Sequence, residues 1–225
     1  MKFFILFSFL LFTSVFLFAQ ASTENIIING RDLDNFIAKS IHKFPSFTKA
    51  HVHLKNGEVA VGRFNYDYFS DNFMYINEKN DTVALANPED VDYVSFPVDS
   101  FFYDNKFYQW VASSEFATLA VRYTYKLARK DNLGAYGIAA PTEKVESHNT
   151  ILGLGRYELE GNEQITFEKT TTYYIRKPNG KFVTAAIHNF DMVFPNKDLE
   201  GYMKKNKLNL KKQSDILDLF VYANQ

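Results

Sequence analysis

No cysteine occurs among the 225 residues. That absence excludes a disulfide framework, a thiol nucleophile, a thiolate metal site and a lipid-modified N-terminal cysteine. Neither sign of charge is in excess: 25 Lys and Arg face 26 Asp and Glu, a formal net charge of −1. A nucleic-acid or anionic-membrane surface needs a basic stripe, and this balance offers none. Catalytic signatures are missing too, with no G-x-S-x-G elbow, Walker loop or H-E-x-x-H anywhere in the chain. Internal repeats and low-complexity segments are likewise absent.

Long apolar runs are scarce except at the N-terminus. Lys2 precedes Phe3–Phe18, an apolar stretch, and Ala19-Gln20-Ala21 follows with small residues at alternate positions. This is the layout of a secretory signal peptide, with cleavage expected after Ala19 or Ala21. A retained anchor is the rival reading, but the run falls short of the roughly 20 residues that span a bilayer. The expectation is export to the periplasm or beyond, as a protein that is not a lipoprotein and has no membrane span after leader removal.

What the chain does have is aromatic residues, 23 Phe and 14 Tyr, in short alternating runs. In Phe47–Phe96, Ala50, Val52 and Leu54 alternate with Lys49, His51, His53 and Lys55, which reads as a half-buried strand. Asn56-Gly57 then predicts a two-residue type I′ hairpin turn. In the returning strand the apolar positions shift from Val59 and Val61 to Phe64 and Tyr66 across Gly62, as a β-bulge would produce. Phe73–Ile76, Thr82–Ala86 and Val91–Phe96 are further strands separated by turn residues.

Upstream, Ile26–Ile28 reads as a short strand. Asp32 could cap a helix carrying Leu33, Phe36, Ile37, Ile41 and Phe44 on one face. Downstream come Phe101–Tyr103 and Phe107–Val111, then the clearest strand. Ala117, Leu119, Val121, Tyr123, Tyr125 and Leu127 share one face of it, and Thr118, Arg122, Thr124 and Lys126 the other. That strand is expected to be central, with its polar face wet or lining a cleft. Lys130–Asn149 reads as a long loop. Ile151–Leu159, Ile165–Lys177 and Lys181–Ile187 resume the sheet, the last two around Pro178-Asn179-Gly180. Asn196 and Ser214 are candidate caps of two closing helices. The lysines between them, 204, 205, 207, 211 and 212, read as solvated helix ends and not as a ligand patch.

The chain thus divides into a leader (1–21), a strand and helix (22–46), a meander (47–128), a loop (129–150), a second β region (151–194) and a helical hairpin (195–225). Residues 47–225 read as one continuous domain. The fold expected is β-dominated, between all-β and α+β. A long antiparallel meander forms a barrel- or sandwich-like body with an N-terminal helix and a C-terminal helical hairpin.

Several constellations invite chemistry. His51 and His53 share a strand face and could meet one metal, with His148 or His188 as a third ligand. They alternate with Lys49 and Lys55, and ammonium groups disfavour a cation, so exposed histidines are the simpler account. Gly153-Leu154-Gly155 lacks the third glycine of a phosphate loop, where Glu158 stands, and has no βαβ surroundings. Glu158, Glu160, Glu163 and Glu168 could include a hydrolytic carboxylate pair, but strand edges and turns explain them as well. Thr170–Thr172 before Tyr173 and Tyr174 is ordinary strand composition. No catalytic, cofactor-binding or metal-binding residue is therefore assigned.

Phe47-x-x-Ala50, the Lys55-Asn56-Gly57 turn, Asn65-Tyr66-Asp67-Tyr68 and Leu85–Val91 together resemble a family of uncharacterised secreted proteins of Bacteroidota. Gly134-Ala135-Tyr136-Gly137 and the Lys/Asn-rich closing helices also fit, so the resemblance covers most of the chain after the leader. Asp67 departs from it, standing where asparagine is expected. Asp81-Thr82-Val83 resembles the Asp-Ser/Thr-aliphatic motif at which such proteins are O-glycosylated. The resemblance implies a cell-envelope location and no particular activity. The functional expectation is a non-catalytic module that binds an envelope protein or a glycan through a sheet edge or an aromatic surface. A periplasmic hydrolase or metal-assisted enzyme without a local motif is the alternative.

Overall fold

A computed structural model describes residues 21–29, 32–133, 139–141 and 163–225. The expected leader, His148 and the expected strand Ile151–Leu159 lie outside the described residues. So does most of the expected loop.

Among the described residues, twelve strands join one antiparallel sheet. They are β1 (Ser22–Asn29), β2 (Thr48–Leu54), β3 (Val59–Asp67), β4 (Asn72–Ile76), β5 (Thr82–Ala84) and β6 (Val91–Phe96). After these come β7 (Asp99–Tyr103), β8 (Phe107–Ser113), β9 (Thr118–Leu133), β10 (Ala139–Pro141), β11 (Glu163–Arg176) and β12 (Val183–Thr184). The strand path is β1-β11-β9-β8-β7-β6-β2-β3-β4-β5, with β10 on β9 and β12 on β11. Two meanders, β2 to β5 and β6 to β9, are thus joined side by side through β2 and β6. The sheet is open: β1 and β5 stand at the two ends of its path.

The sheet curls so that distant strands meet. Tyr66 of β3 packs against Phe101 of β7 at 4.9 Å between ring centroids. Phe73 of β4 lies 4.8 Å from Phe107 of β8. Phe73, Phe101 and Phe107 are almost fully buried, and with Val52, Val91 and Val94 they form one core. Burying each phenylalanine contributes about 1.5–3 kcal/mol.

The long strand β9 is central, paired with β8 and β11. The expected apolar face is correct: Ala117, Leu119 and Val121 are each at most 1% exposed. They pack in a second core with Phe190, Leu199, Ile216 and Leu219 from the C-terminal helices. Its polar face is only partly wet: Lys126 is exposed, but Ala120 is fully buried in a cluster with Tyr108 and Phe182. The Arg122 side chain keeps only 16% exposure, because it pairs with Asp71.

Several local expectations change. The Asn56-Gly57 turn is not type I′, since of the two only Gly57 has positive φ, at 89°. Leu54 N–H donates to Glu58 O and Gly57 N–H to Leu54 O, each at 2.9 Å, closing a three-residue loop with Gly57 in the left-handed position. Lys55 is held from the far side, its N–H donating to Asp90 O at 2.9 Å. No bulge occurs at Gly62: the β2–β3 ladder runs unbroken from Thr48↔Phe64 to His53↔Val59. Val59 and Val61 instead lie on the outer face, 50% and 56% exposed. The inner face is small there, Ala60 and Gly62. A Cβ on Gly62 would come within 2.9 Å of the Phe64 ring, so the glycine makes room for that ring.

The N-terminal helix is shorter than its spacing implies. It consists of α1 (Leu33–Phe36) and one π turn, Ile37–Ile41. Beyond it Lys43 N–H donates to Tyr66 O and Tyr68 N–H to Ile41 O, so the end of β3 captures the backbone before Phe44. The expected loop also begins late, because β9 runs to Leu133 and pairs Lys130, Asp131 and Asn132 with Ile165, Gln164 and Glu163. Ladder pairing with a long partner strand outweighs the polar side chains of that stretch.

Three helices close the chain, not two: α2 (Ile187–Val193), α3 (Leu199–Asn206) and α4 (Gln213–Ala223). α2 replaces the end of the expected strand because Asn189 Nδ2 donates to Thr184 O at 2.7 Å, folding the chain back over Ala185 and Phe190. The cap of α3 is Asp198, not Asn196, accepting from Gly201 N–H at 2.9 Å. Ser214 lies inside α4, preceded by Lys212 at the cap position. α3 and α4 form the expected hairpin, with Tyr202 stacked on Tyr222 at 3.8 Å.

Candidate functional site

A groove of about 840 Å³ opens at the end of the first meander. Chain order creates it. β5 feeds through the one-turn helix Pro88–Asp90 into β6, which lies on the far side of β2. β5 and β6 are not paired, and the groove lies over β2, β3 and β4, bounded by the β4–β5 turn and by the segment from Leu85 to Val91.

Its floor is apolar and belongs to the inner sheet face, with Val52 and Leu54 from β2, Ala60 and Phe64 from β3, and Tyr75 from β4. Leu85 and Val91 close the far wall. The rim is polar, carrying Asn77, Glu78, Lys79 and Asp81 on the β4–β5 hairpin and Asn87 and Asp90 before β6. Asn77 shapes its own hairpin: its Oδ1 accepts from Lys79 N–H at 2.9 Å and Asp81 N–H at 2.8 Å. Asn80 then takes the left-handed position at φ 65°, which asparagine tolerates. Three carboxylates against one lysine give the rim a negative balance.

The other polar cluster is closed. Asp71, in the β3–β4 turn, meets Arg122 at 2.5 Å and Lys106 at 3.5 Å, and accepts a hydrogen bond from the Tyr66 hydroxyl. Burial, with Asp71 next in weight, holds the Tyr66 hydroxyl far above its ordinary pKa. Burial alone would lower Arg122, but Asp71, with Tyr174 beside it, holds the guanidinium above its usual value. Nearby, Asp99 is saturated by Lys43 at 2.9 Å and Gln109 at 2.8 Å. These groups fasten the curled sheet to itself.

The outer face carries a row of aromatic residues, covered at its Phe102 and Tyr108 end. His53, Tyr93, Phe102 and Tyr108 are neighbours across four strands. Phe182 stacks on Tyr108 at 4.3 Å, and Arg176 lies over both Phe102 and Phe182. Phe182 N–H donates to Asp104 at 2.9 Å, pinning this cover in place. Of that face, Trp110 stays accessible at 42%, its indole N–H donating to Ser113 Oγ at 2.9 Å.

The described histidines form no cluster with three or more metal-ligating side chains. His51 is exposed between Val61 and Ser95, and His53 is half-buried, stacked on Tyr93 at 4.0 Å. His188 is exposed on α2. Among the described residues no group of three or more His, Cys, Asp or Glu side chains is placed to share a metal ion. Gly153, Gly155, Glu158 and Glu160 lie outside the described residues, as does the Glu163 side chain. Glu168 is half-buried in β11, accepting from the Thr170 hydroxyl at 3.5 Å. Thr170–Thr172 pair with Thr124, Tyr123 and Arg122 in the sheet. Thr82 is exposed at the start of β5. All five lysines from 204 to 212 are exposed.

Sequence reading did not find the groove. Its floor residues look like ordinary strand core, and only the small Ala60-x-Gly62 pair on an otherwise bulky inner face signals a hollow. Among the described residues no helix is long and apolar enough to cross a membrane. No family model matches the chain, and no curated protein or solved structure does either.

Proposed function

We propose that this is an exported, non-catalytic binding protein of the cell envelope that holds its ligand in the groove over β2, β3 and β4. The groove itself carries the reading. Its floor is apolar and its carboxylates stand on the rim, an arrangement that desolvates an apolar group and orients it by polar contacts. The Asp71 and Asp99 carboxylates are engaged within the fold, whereas the groove is an open concavity of about 840 Å³. Export rests on the Lys2, apolar run and Ala19–Ala21 layout, and on the resemblance to secreted Bacteroidota proteins.

Arrays of immobilised peptides and glycans, probed with the wild type and with Ala60→Trp, test this. Ala60 is exposed on the groove floor, so an indole there fills the space without entering the core. Binding to array members should fall at least tenfold in the variant. Equal binding by both proteins, or turnover of an array member, would contradict the reading.

A further inference from the structure

The groove adjoins a free sheet edge. β5 pairs with β4 through Ile76↔Thr82, Tyr75↔Val83 and Met74↔Ala84, and it ends the strand path. Asn77 N–H donates to Asp81 O and Leu85 N–H to Phe73 O, which marks positions 81 and 85 as hydrogen-bonded to β4. Antiparallel ladders alternate, so Val83 also bonds to β4. Thr82 and Ala84 therefore direct their N–H and C=O groups away from the sheet, and both residues are exposed. Among the described residues no strand covers that edge.

Side-chain direction links the edge to the groove. Phe64, Tyr75 and Val83 are aligned partners across β3, β4 and β5, and Phe64 and Tyr75 line the groove. A further strand beside β5 would place the residue opposite Val83 on that same inner face. Two positions along, again inward, its side chain would stand level with Asp81, with Glu78 in the adjoining turn.

We propose that β5 accepts an extended peptide as an added strand, with an apolar side chain entering the groove and a lysine or arginine two residues away meeting Asp81 and Glu78. This rests on the groove being the binding site and specifies its ligand. Main-chain hydrogen bonds to Thr82 and Ala84 supply affinity independent of sequence, while the groove and rim select the side chains. A free edge is ordinarily a hazard, and β5 limits it by being three residues long. A strand so short gives few hydrogen bonds, so the groove must supply much of the selectivity.

The test is selection of linear heptapeptides from a displayed random library against the full protein, followed by titration of enriched peptides into wild type, Ala84→Pro and Ala60→Trp. Proline at position 84 removes an outward N–H and no β4 bond, and edge strands tolerate it. Enriched peptides should carry an apolar and a basic residue two apart, and each variant should weaken binding at least tenfold. In the wild type, the Thr82 and Ala84 amides should gain hydrogen-exchange protection on peptide binding, a readout that needs no variant. If Ala60→Trp abolishes binding while Ala84→Pro does not, and the amides stay unprotected, strand addition is overturned and the groove reading survives. If neither variant matters, both fall. Absence of any enriched peptide, or enrichment of acidic ones, overturns the peptide proposal.

Discussion

Replacing Arg122 by leucine should destabilise the protein severely, although the alternation of β9 alone would place it on a tolerant polar face. The guanidinium meets Asp71 at 2.5 Å, and the two side chains retain 16% and 13% exposure. Removing one partner of a buried ion pair costs about 3–5 kcal/mol, because a charge is left without compensation. Here the cost is lower, about 2–3 kcal/mol, since both groups keep some solvent. Lys106 also remains 3.5 Å from Asp71, and the Tyr66 hydroxyl still donates to it. At about 2–4 °C per kcal/mol for a chain this long, Tm should fall by about 5–10 °C. Asp71→Asn is the matching single change, because Asp71 sits at φ 54° and asparagine tolerates that conformation. A double-mutant cycle followed by urea melts, with Trp110 fluorescence and far-UV circular dichroism, should give a coupling of at least about 1 kcal/mol. Strict additivity of the two changes would refute the latch between the β3–β4 turn and β9.

Val121→Asp should cost more than about 3 kcal/mol in the same melts, because it buries a charge beneath the C-terminal helices at a site 1% exposed. Alkaline pH should unfold the protein cooperatively. Burial raises Tyr66 and Tyr68 far above their ordinary pKa, and Tyr173 to about 12. A raised folded pKa means stability is intact below about pH 10 and is lost as pH rises, about 1.4 kcal/mol at pH 11 for Tyr66 alone. Tyrosinate absorbance near 295 nm should therefore rise in a step with the loss of circular dichroism; a smooth titration of all tyrosines in the folded protein would contradict this burial. The double change His51→Gln, His53→Gln should leave elemental metal content unchanged and cost about 0.5–1.5 kcal/mol through the lost Tyr93 stack. Stoichiometric zinc in the wild type, lost in the double variant, would refute it.

The parts legible from sequence are those set by local pattern. Alternation located β2 and β9, strand-length runs between turn residues located β6 and β8, and alternation placed Val121 and Arg122 on opposite faces. What it could not supply is what lies over each face. Arg122 reads as solvent-facing because its partner, Asp71, is 51 residues away. Nothing local shows that β3 turns Val59 and Val61 outward. The apolar phase change at Gly62 was real, but its cause is the Phe64 ring and not a bulge. α2 went unread because a side-chain hydrogen bond from Asn189 back to Thr184 O, not its apolar spacing, turns the chain there. The groove was invisible because it arises from which strands fail to meet.

Chemical-shift mapping of an enriched heptapeptide on the isotopically labelled protein tests peptide binding in the groove most directly. Strand addition at β5 predicts perturbations centred on Ala60, Gly62, Tyr75, Thr82, Ala84 and Leu85, with Tyr93 and Trp110 on the outer face unmoved. Perturbations confined to Trp110 and the outer sheet face, with the groove silent, would contradict it.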